Sequence, residues 1–179
     1  MKIDNSKLII HRAYLGLGSN LGDKEENLRR AIHLIGEQIG DVSRQSAFYY
    51  SEPWGFTSDN TFVNAVILVE TTLTPHQLLR ATQRIERLLG KRREHATQRP
   101  ASPSTIHHSP LPIHLDTDDN PPLPLEGAGG RLCLYHDRPI DIDILLYDDL
   151  HIDTPRLKIP HPRMEERDFV MVPLREILP

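Results

Sequence analysis

An α+β sandwich built on an antiparallel sheet is the architecture the sequence predicts, and three observations carry it. Apolar residues alternate with a period of two in several short segments and recur at helical spacing in others. Those segments follow one another as strand, helix, strand, strand, helix, strand. A Pro- and Gly-rich stretch without any period interrupts the order before the last strand. This βαββαβ order is the split βαβ, ferredoxin-like plan, here with a long inserted loop and short C-terminal elements.

Each element has its own justification. Leu8 to Leu17 is predicted as the first strand, with Ala13, Leu15 and Leu17 on one face. Gly16 to Gly22 follows as a turn of spacing G-x-G-x-x-x-G. It fits neither a dinucleotide fingerprint nor a P-loop, so a tight structural turn is expected rather than a phosphate cradle. Lys24 to Ile39 is predicted as a helix, because Leu28, Ala31, Ile32, Ile35 and Ile39 share a face, with Gly40 as its stop. Val42 to Tyr50 is expected to be one strand. Thr61 to Glu70 is apolar on both faces and is therefore expected at the centre of the sheet. Thr74-Pro75-His76-Gln77 is a helix start with a capping box, and Leu78, Ala81, Thr82, Ile85 and Leu88 face inward. Gly90 ends that helix. The tail is expected to hold a short strand at Leu157–Ile159, a helical turn from Pro162 and the apolar run Met171–Leu174.

Composition narrows the class. The chain has 179 residues, 38% of them hydrophobic and 26% charged, which predicts a single domain over 1–179. A net charge of −4 argues against nucleic acid as a partner. Cys133 is the one cysteine, which excludes an internal disulfide and fits a reducing compartment. No window approaches the ~18 consecutive apolar residues of a membrane span, and the first residues lack a signal-peptide core. A cytoplasmic protein, not bound to membrane, is expected. Seven prolines lie between Pro100 and Pro124, so residues 95–134 are expected to be a long flexible insertion within one domain. Its histidines and aspartates (His95, His107, His108, His114 and the nearby His136, with Asp116, Asp118 and Asp119) match no zinc spacing.

The segment Arg138-Pro139-Ile140-Asp141-Ile142-Asp143-Ile144-Leu145 carries the clearest chemistry. On a strand, Asp141 and Asp143 point one way and the isoleucines the other. Two adjacent carboxylates on a buried face repel unless a cation lies between them, and Mg²⁺ typically takes one or two carboxylates plus phosphate oxygens. An edge strand with one wet face is the alternative. Elsewhere, Phe62 and Asn64 share a strand face, and Trp54 and Phe56 lie in a Pro/Gly loop; an amide with flat rings suits a planar heterocycle. The competing view is that the rings are core and Asn64 satisfies backbone. Gln83 and Glu86 share a helix face among arginines, which by default is a solvated surface. Arg156, Lys158, His161, Arg163 and Arg167 form a basic cluster beside Phe169.

Taken in series, Ala13–Gly22, Phe62-Val63-Asn64-Ala65, Thr82–Glu86, Arg138–Leu145 and Ile159-Pro160-His161-Pro162 resemble the signatures of the 6-hydroxymethyl-7,8-dihydropterin pyrophosphokinases, over residues 8–94 and 135–178. The resemblance implies transfer of pyrophosphate from ATP to the pterin hydroxymethyl group, with two Mg²⁺ ions on Asp141 and Asp143. It implies a catalytic set of Arg93, Arg138, Asp141 and Asp143. Ser51, Trp54, Gly55, Phe62, Asn64 and Phe169 are implied for the pterin. Gln83, Glu86, Arg93, Arg138, Ile144, Arg156, Lys158, His161 and Arg167 are implied for ATP. A monomer is expected. One departure stands out: where the family has Arg-Trp-Gly-Pro-Arg, this chain reads Leu134-Tyr135-His136-Asp137-Arg138, so that Tyr135 and Arg138 survive and the penultimate arginine does not. Lys91 stands where another loop cation is common, and the enlarged loop is expected to slow or regulate closure over ATP. A catalytically impaired regulatory domain on the same scaffold is the competing function. A DxD-type glycosyltransferase is a weaker third, because the doubly wound parallel pattern is missing.

Overall fold

The computed structural model describes residues 9–55, 58–90 and 137–179. All of these belong to one compact unit, Met1–Arg93 with Leu134–Pro179. The second unit, Glu94–Cys133, lies outside the described residues, and so do Phe56, Lys91, Arg93, Tyr135, His136 and the predicted insertion at 95–134. Among the described residues no helix is long and apolar enough to cross a membrane.

The elements run β1 (His11–Ser19), α1 (Lys24–Gln38), β2 (Gly40–Gln45), β3 (Tyr49–Ser51), β4 (Phe62–Thr71), α2 (Pro75–Leu88), β5 (Asp141–Tyr147), β6 (Ile152–Asp153), β7 (Lys158–Ile159) and α3 (Asp168–Ile177). The main sheet has the order β2-β4-β1-β5, with β3 also pairing β4, and every pairing is antiparallel. The fold is thus a mixed α/β structure on an antiparallel sheet, with β4 inside it as its two apolar faces require.

Both main helices start as their sequences dictate. The Asp23 side chain accepts from the Glu26 N–H at the head of α1. At α2 the Gln77 amide oxygen accepts from both the N–H and the hydroxyl of Thr74, and Gly90, with φ 99°, ends the element. Leu88, expected inward, is exposed, while Glu86 is buried. Gly40 opens β2 rather than only stopping α1: a Cβ there would lie 2.1 Å from the Glu70 carbonyl oxygen.

Three expectations are corrected. The first strand continues through Gly16, Gly18 and Ser19 into the stretch expected to turn. Glycine serves there for close side-chain approach, since a Cβ on Gly18 would meet Asn64 Oδ1 at 3.1 Å and one on Gly16 would meet the Leu145 side chain at 3.3 Å. The strand expected over Val42–Tyr50 is two pieces, β2 and β3. At the break Ser46 N–H donates to the Val66 carbonyl at 2.9 Å, while its hydroxyl accepts from Val66 N–H at 3.0 Å, replacing a regular ladder step. Lastly, the tail forms a full helix, α3, despite Pro173 inside it. The lost N–H bond is outweighed because Val170, Leu174 and Ile177 are buried.

The sheet has two differently covered faces. On one, Ala13, Leu15, Leu17, Val63, Ala65, Ile67, Val69, Ile140, Ile142 and Ile144 pack against Leu28, Ala31 and Ile35 of α1 and Leu78 and Ile85 of α2. On the other, Tyr14, Val66, Leu68 and Leu145 pack against Met164 and α3. A register shift between Tyr14 and Leu15 re-aims the end of β5, so Tyr147 joins the helix-covered core and donates to the Leu73 carbonyl at 2.6 Å.

Candidate functional site

The second face of the sheet carries polar residues beyond the apolar patch that α3 covers. Register fixes what stands there. Gly18 of β1 is opposite Asn64 of β4 on one side and Asp141 of β5 on the other; Gly16 is opposite Val66 and Asp143. Paired residues share a face, so a row runs Asn64–Gly18–Asp141 across three strands. Two glycines in the middle strand leave a floor without side chains between an amide and two carboxylates.

At one end of this row, Asn64 is 5% exposed, and its Nδ2 donates to Ser51 Oγ at 3.0 Å and to the Tyr49 carbonyl at 3.2 Å. Those contacts fix the amide orientation, with the Gly18 gap beside its oxygen. Phe62 is buried on the same strand face, with the Arg138 guanidinium 5.9 Å from its ring centroid. Arg163 and Arg167 each lie over the Trp54 ring, 4.6 Å from its centroid, and Arg167 is also 5.9 Å from the Phe169 ring centroid. The loop bearing Ser51 and Trp54 therefore meets the basic C-terminal segment. Gly55 is exposed in that loop with φ 80°.

At the other end, Asp141 and Asp143 stand half-buried on β5, while Ile140, Ile142 and Ile144 are in the core behind them. β5 is an edge strand, and both carboxylates keep partial contact with solvent. Arg138 Nη2 lies 2.8 Å from Asp141 Oδ2. His161 Nε2 lies 3.9 Å from Asp143 Oδ2. His161 is held against β5 by its own N–H, which donates to the Leu145 carbonyl at 2.9 Å. Burial pushes the His161 pKa below the usual imidazole value; the Arg167 charge adds to this and Asp141 opposes it.

The remaining residues of the implied nucleotide set are spread differently. Glu86 is 7% exposed, and its Oε1 accepts from the Ile142 N–H at 2.9 Å, so it caps the outer edge of β5 rather than joining a solvated face. Gln83 is exposed on α2. The Ile144 side chain is in the core, on the face away from the carboxylates. Arg156 is exposed next to β7, and Lys158 pairs with Asp153 across the β6–β7 ribbon. Arg167 is buried at the head of α3. Arg93 lies outside the described residues.

Residues that sequence reasoning missed include Asn20, Ser58, Asn60 and Asp137, which bond to one another around the entrance to β5. Polar residues in loops carry no period, so only their contacts expose them. Among the described residues no group of three metal-ligating side chains is present. The donor set is two hard carboxylates, which fits Mg²⁺ completing its shell with phosphate oxygens and water, not a transition-metal cage.

Comparison with known proteins identifies the family. The sequence profile described as 7,8-dihydro-6-hydroxymethylpterin-pyrophosphokinase (HPPK) matches residues 14–106 and 123–179. The chain is 38% identical over 167 residues to the 2-amino-4-hydroxy-6-hydroxymethyldihydropteridine pyrophosphokinase of Porphyromonas gingivalis, covering 93% of this chain and 90% of that protein. It is 34% identical over 166 residues to the Bacillus subtilis protein of the same name, covering 92% and 77%. A solved Plasmodium falciparum HPPK-DHPS structure shares the fold at 15% identity and a TM-score of 0.62, covering 98% of this chain; this chain spans 43% of that longer one. With most of its length matched at this identity, the chain belongs to the 7,8-dihydro-6-hydroxymethylpterin-pyrophosphokinase (HPPK) family.

Proposed function

We propose that this chain transfers the pyrophosphoryl group of ATP to the hydroxymethyl oxygen of 6-hydroxymethyl-7,8-dihydropterin, giving AMP and the pterin diphosphate for folate biosynthesis. The observation that carries this reading is the row Asn64–Gly18–Asp141, in which a pinned amide and a carboxylate pair flank a bare glycine floor. Asn64 reads the polar edge of the pterin, Phe62 and Phe169 stack on its faces, and Ser51, Trp54 and Gly55 line the pocket.

Asp141 and Asp143 would hold two Mg²⁺ ions, which supply neutralisation of the triphosphate charge when bound. Arg138, adjacent to Asp141, and Arg93 aim positive charge at the phosphates. Gln83, Glu86, Ile144, Arg156, Lys158, His161 and Arg167 form the nucleotide side, with Ile144 contributing backbone and Glu86 acting by holding β5. As the pterin oxygen bonds to the β-phosphorus its proton leaves, and the bond from that phosphorus to the α,β-bridging oxygen breaks to release AMP. Positioning and fixed charge do most of this work. We read the chain as a ferredoxin-like βαββαβ domain over 1–179 with 95–134 inserted, acting as a cytoplasmic monomer; the β2-β4-β1-β5 strand order supports the ferredoxin-like plan.

The test is AMP release from ATP and Mg²⁺ with and without the pterin, with Asp143→Ala alongside. AMP formed only with pterin, and lost in the variant, is expected. ATP turnover indifferent to pterin would refute the reading.

A further inference from the structure

We propose that Asp137 is a positioning residue that locks the pterin side of the site to its phosphate side. The proposal rests on the pyrophosphokinase reading for its substrates. Asp137 immediately precedes Arg138, yet its carboxylate reaches two other parts of the chain. Its Oδ1 accepts from Asn20 Nδ2 at 2.5 Å and from Ser58 Oγ at 2.7 Å; its Oδ2 accepts from Asn60 Nδ2 at 2.6 Å. A carboxylate can only accept, so both amides are obliged to present nitrogen to it, and their oxygens turn away.

For Asn20 that has a direct consequence. Its Oδ1 accepts from the Arg138 N–H at 2.8 Å, while its own N–H donates to the Arg138 carbonyl at 3.2 Å. Asn20 is 1% exposed, at the end of the strand that holds Gly16 and Gly18. The Arg138 backbone is thereby fixed on both sides, and its guanidinium meets Asp141 at 2.8 Å.

For the 58–60 segment the consequence lies on the other substrate. Ser58 Oγ also accepts from the Asn60 N–H at 3.1 Å, so the turn is closed on itself and tied to Asp137. That turn leads into Phe62 and Asn64 on β4. One carboxylate thus sets the entry of β4, the end of β1 and the entry of β5 relative to each other. Hydrogen bonds to a charged acceptor are the stronger kind, and their loss is felt wherever they hold two segments in register.

The experiment compares wild type with Asp137→Ala, Asp137→Asn, Asn60→Ala and the Asp137→Ala/Asn60→Ala double variant. It measures kcat and KM for pterin and for ATP well below the melting temperature, together with pterin affinity by fluorescence. Asp137→Ala should lower kcat/KM for pterin by about tenfold or more, with the ATP KM changed less than about threefold. Asp137→Asn keeps one carbonyl acceptor, and Asn60 can rotate to meet its amide, so it should recover most of the loss. The double variant should be no worse than Asp137→Ala alone, because the contact that Asn60→Ala removes is already lost in Asp137→Ala. A lowered melting temperature with unchanged kcat/KM for pterin would make Asp137 merely structural and overturn the proposal, as would additive losses in the double variant. If wild type forms no AMP, the pyrophosphokinase reading fails by itself. Pterin affinity then decides the Asp137 lock, and equal affinity in wild type and Asp137→Ala sinks it too.

Discussion

A single methyl group on Gly18 tests whether the bare floor between Asn64 and Asp141 matters. In Gly18→Ala the new Cβ would lie 3.1 Å from Asn64 Oδ1 and 3.7 Å from Phe62 Cδ1, so the amide has to yield by a few tenths of an ångström. Asn64 cannot yield freely, because its nitrogen is held by Ser51 Oγ at 3.0 Å and by the Tyr49 carbonyl at 3.2 Å. Each such bond contributes about 0.5–1.5 kcal/mol. Weakening both without breaking either costs about 1.4 kcal/mol, which is about tenfold in pterin affinity. Global stability should fall as well, by about 1–2 kcal/mol, because the weakened Asn64 bonds and overpacking of about 1 kcal/mol exceed the gain of about 0.4–1 kcal/mol that alanine brings through the unfolded chain. The assay is pterin Kd by fluorescence and pterin KM by AMP release, with the melting temperature alongside. Gly16→Ala is the comparison, since the three atoms nearest its Cβ all belong to the Leu145 side chain, the first at 3.3 Å, so it should disturb the Asn64 amide and pterin affinity less. Unaltered pterin affinity in a folded Gly18→Ala protein would refute the reasoning, as would equal losses in both variants.

Other outcomes follow from the same geometry. Glu86→Ala strands the Ile142 N–H on the β5 edge and should cost about 2 kcal/mol, or about 4–8 °C by calorimetry, whereas Glu86→Gln keeps an acceptor and most of the stability; an unchanged melting temperature in Glu86→Ala would contradict the capping role. His161 has a folded pKa below its unfolded value of 6.5, so its contribution to stability is present above pH 6.5 and is lost as pH falls through the depressed value. A bound triphosphate should raise that pKa, and an NMR titration of the imidazole that ignores nucleotide would remove His161 from the phosphate site. Tyr147 is pushed up to about 12 by burial, with Asp148 adding to the shift. Its stabilising effect holds below the ordinary pH 10 and disappears as pH rises towards 12, and ultraviolet titration of the wild type against Tyr147→Phe should show the loss of a late-ionising tyrosine.

The sequence by itself determined the pattern of elements and the chemistry of two strands. Apolar residues on both faces placed β4 inside the sheet, and the alternation of Asp141 and Asp143 with isoleucines assigned carboxylates to one face and core to the other. The start of α2 was legible because capping is local: Thr74, Pro75 and Gln77 act within one turn. The tertiary structure decided what depends on contacts between distant segments. The glycines of the Gly16–Gly18 stretch read as a turn because the reason for them, an amide on β4, lies far along the chain. Glu86 read as surface because its partner is a backbone N–H on β5, which carries no sequence signature. Pro173 disguised α3, a helix stabilised by burial rather than by propensity. Asp137, with its three donors drawn from two other segments, has no periodicity at all. Local hydrogen bonding and periodicity are written in neighbouring residues; register, edge capping and polar locks exist only once the sheet has brought the strands together.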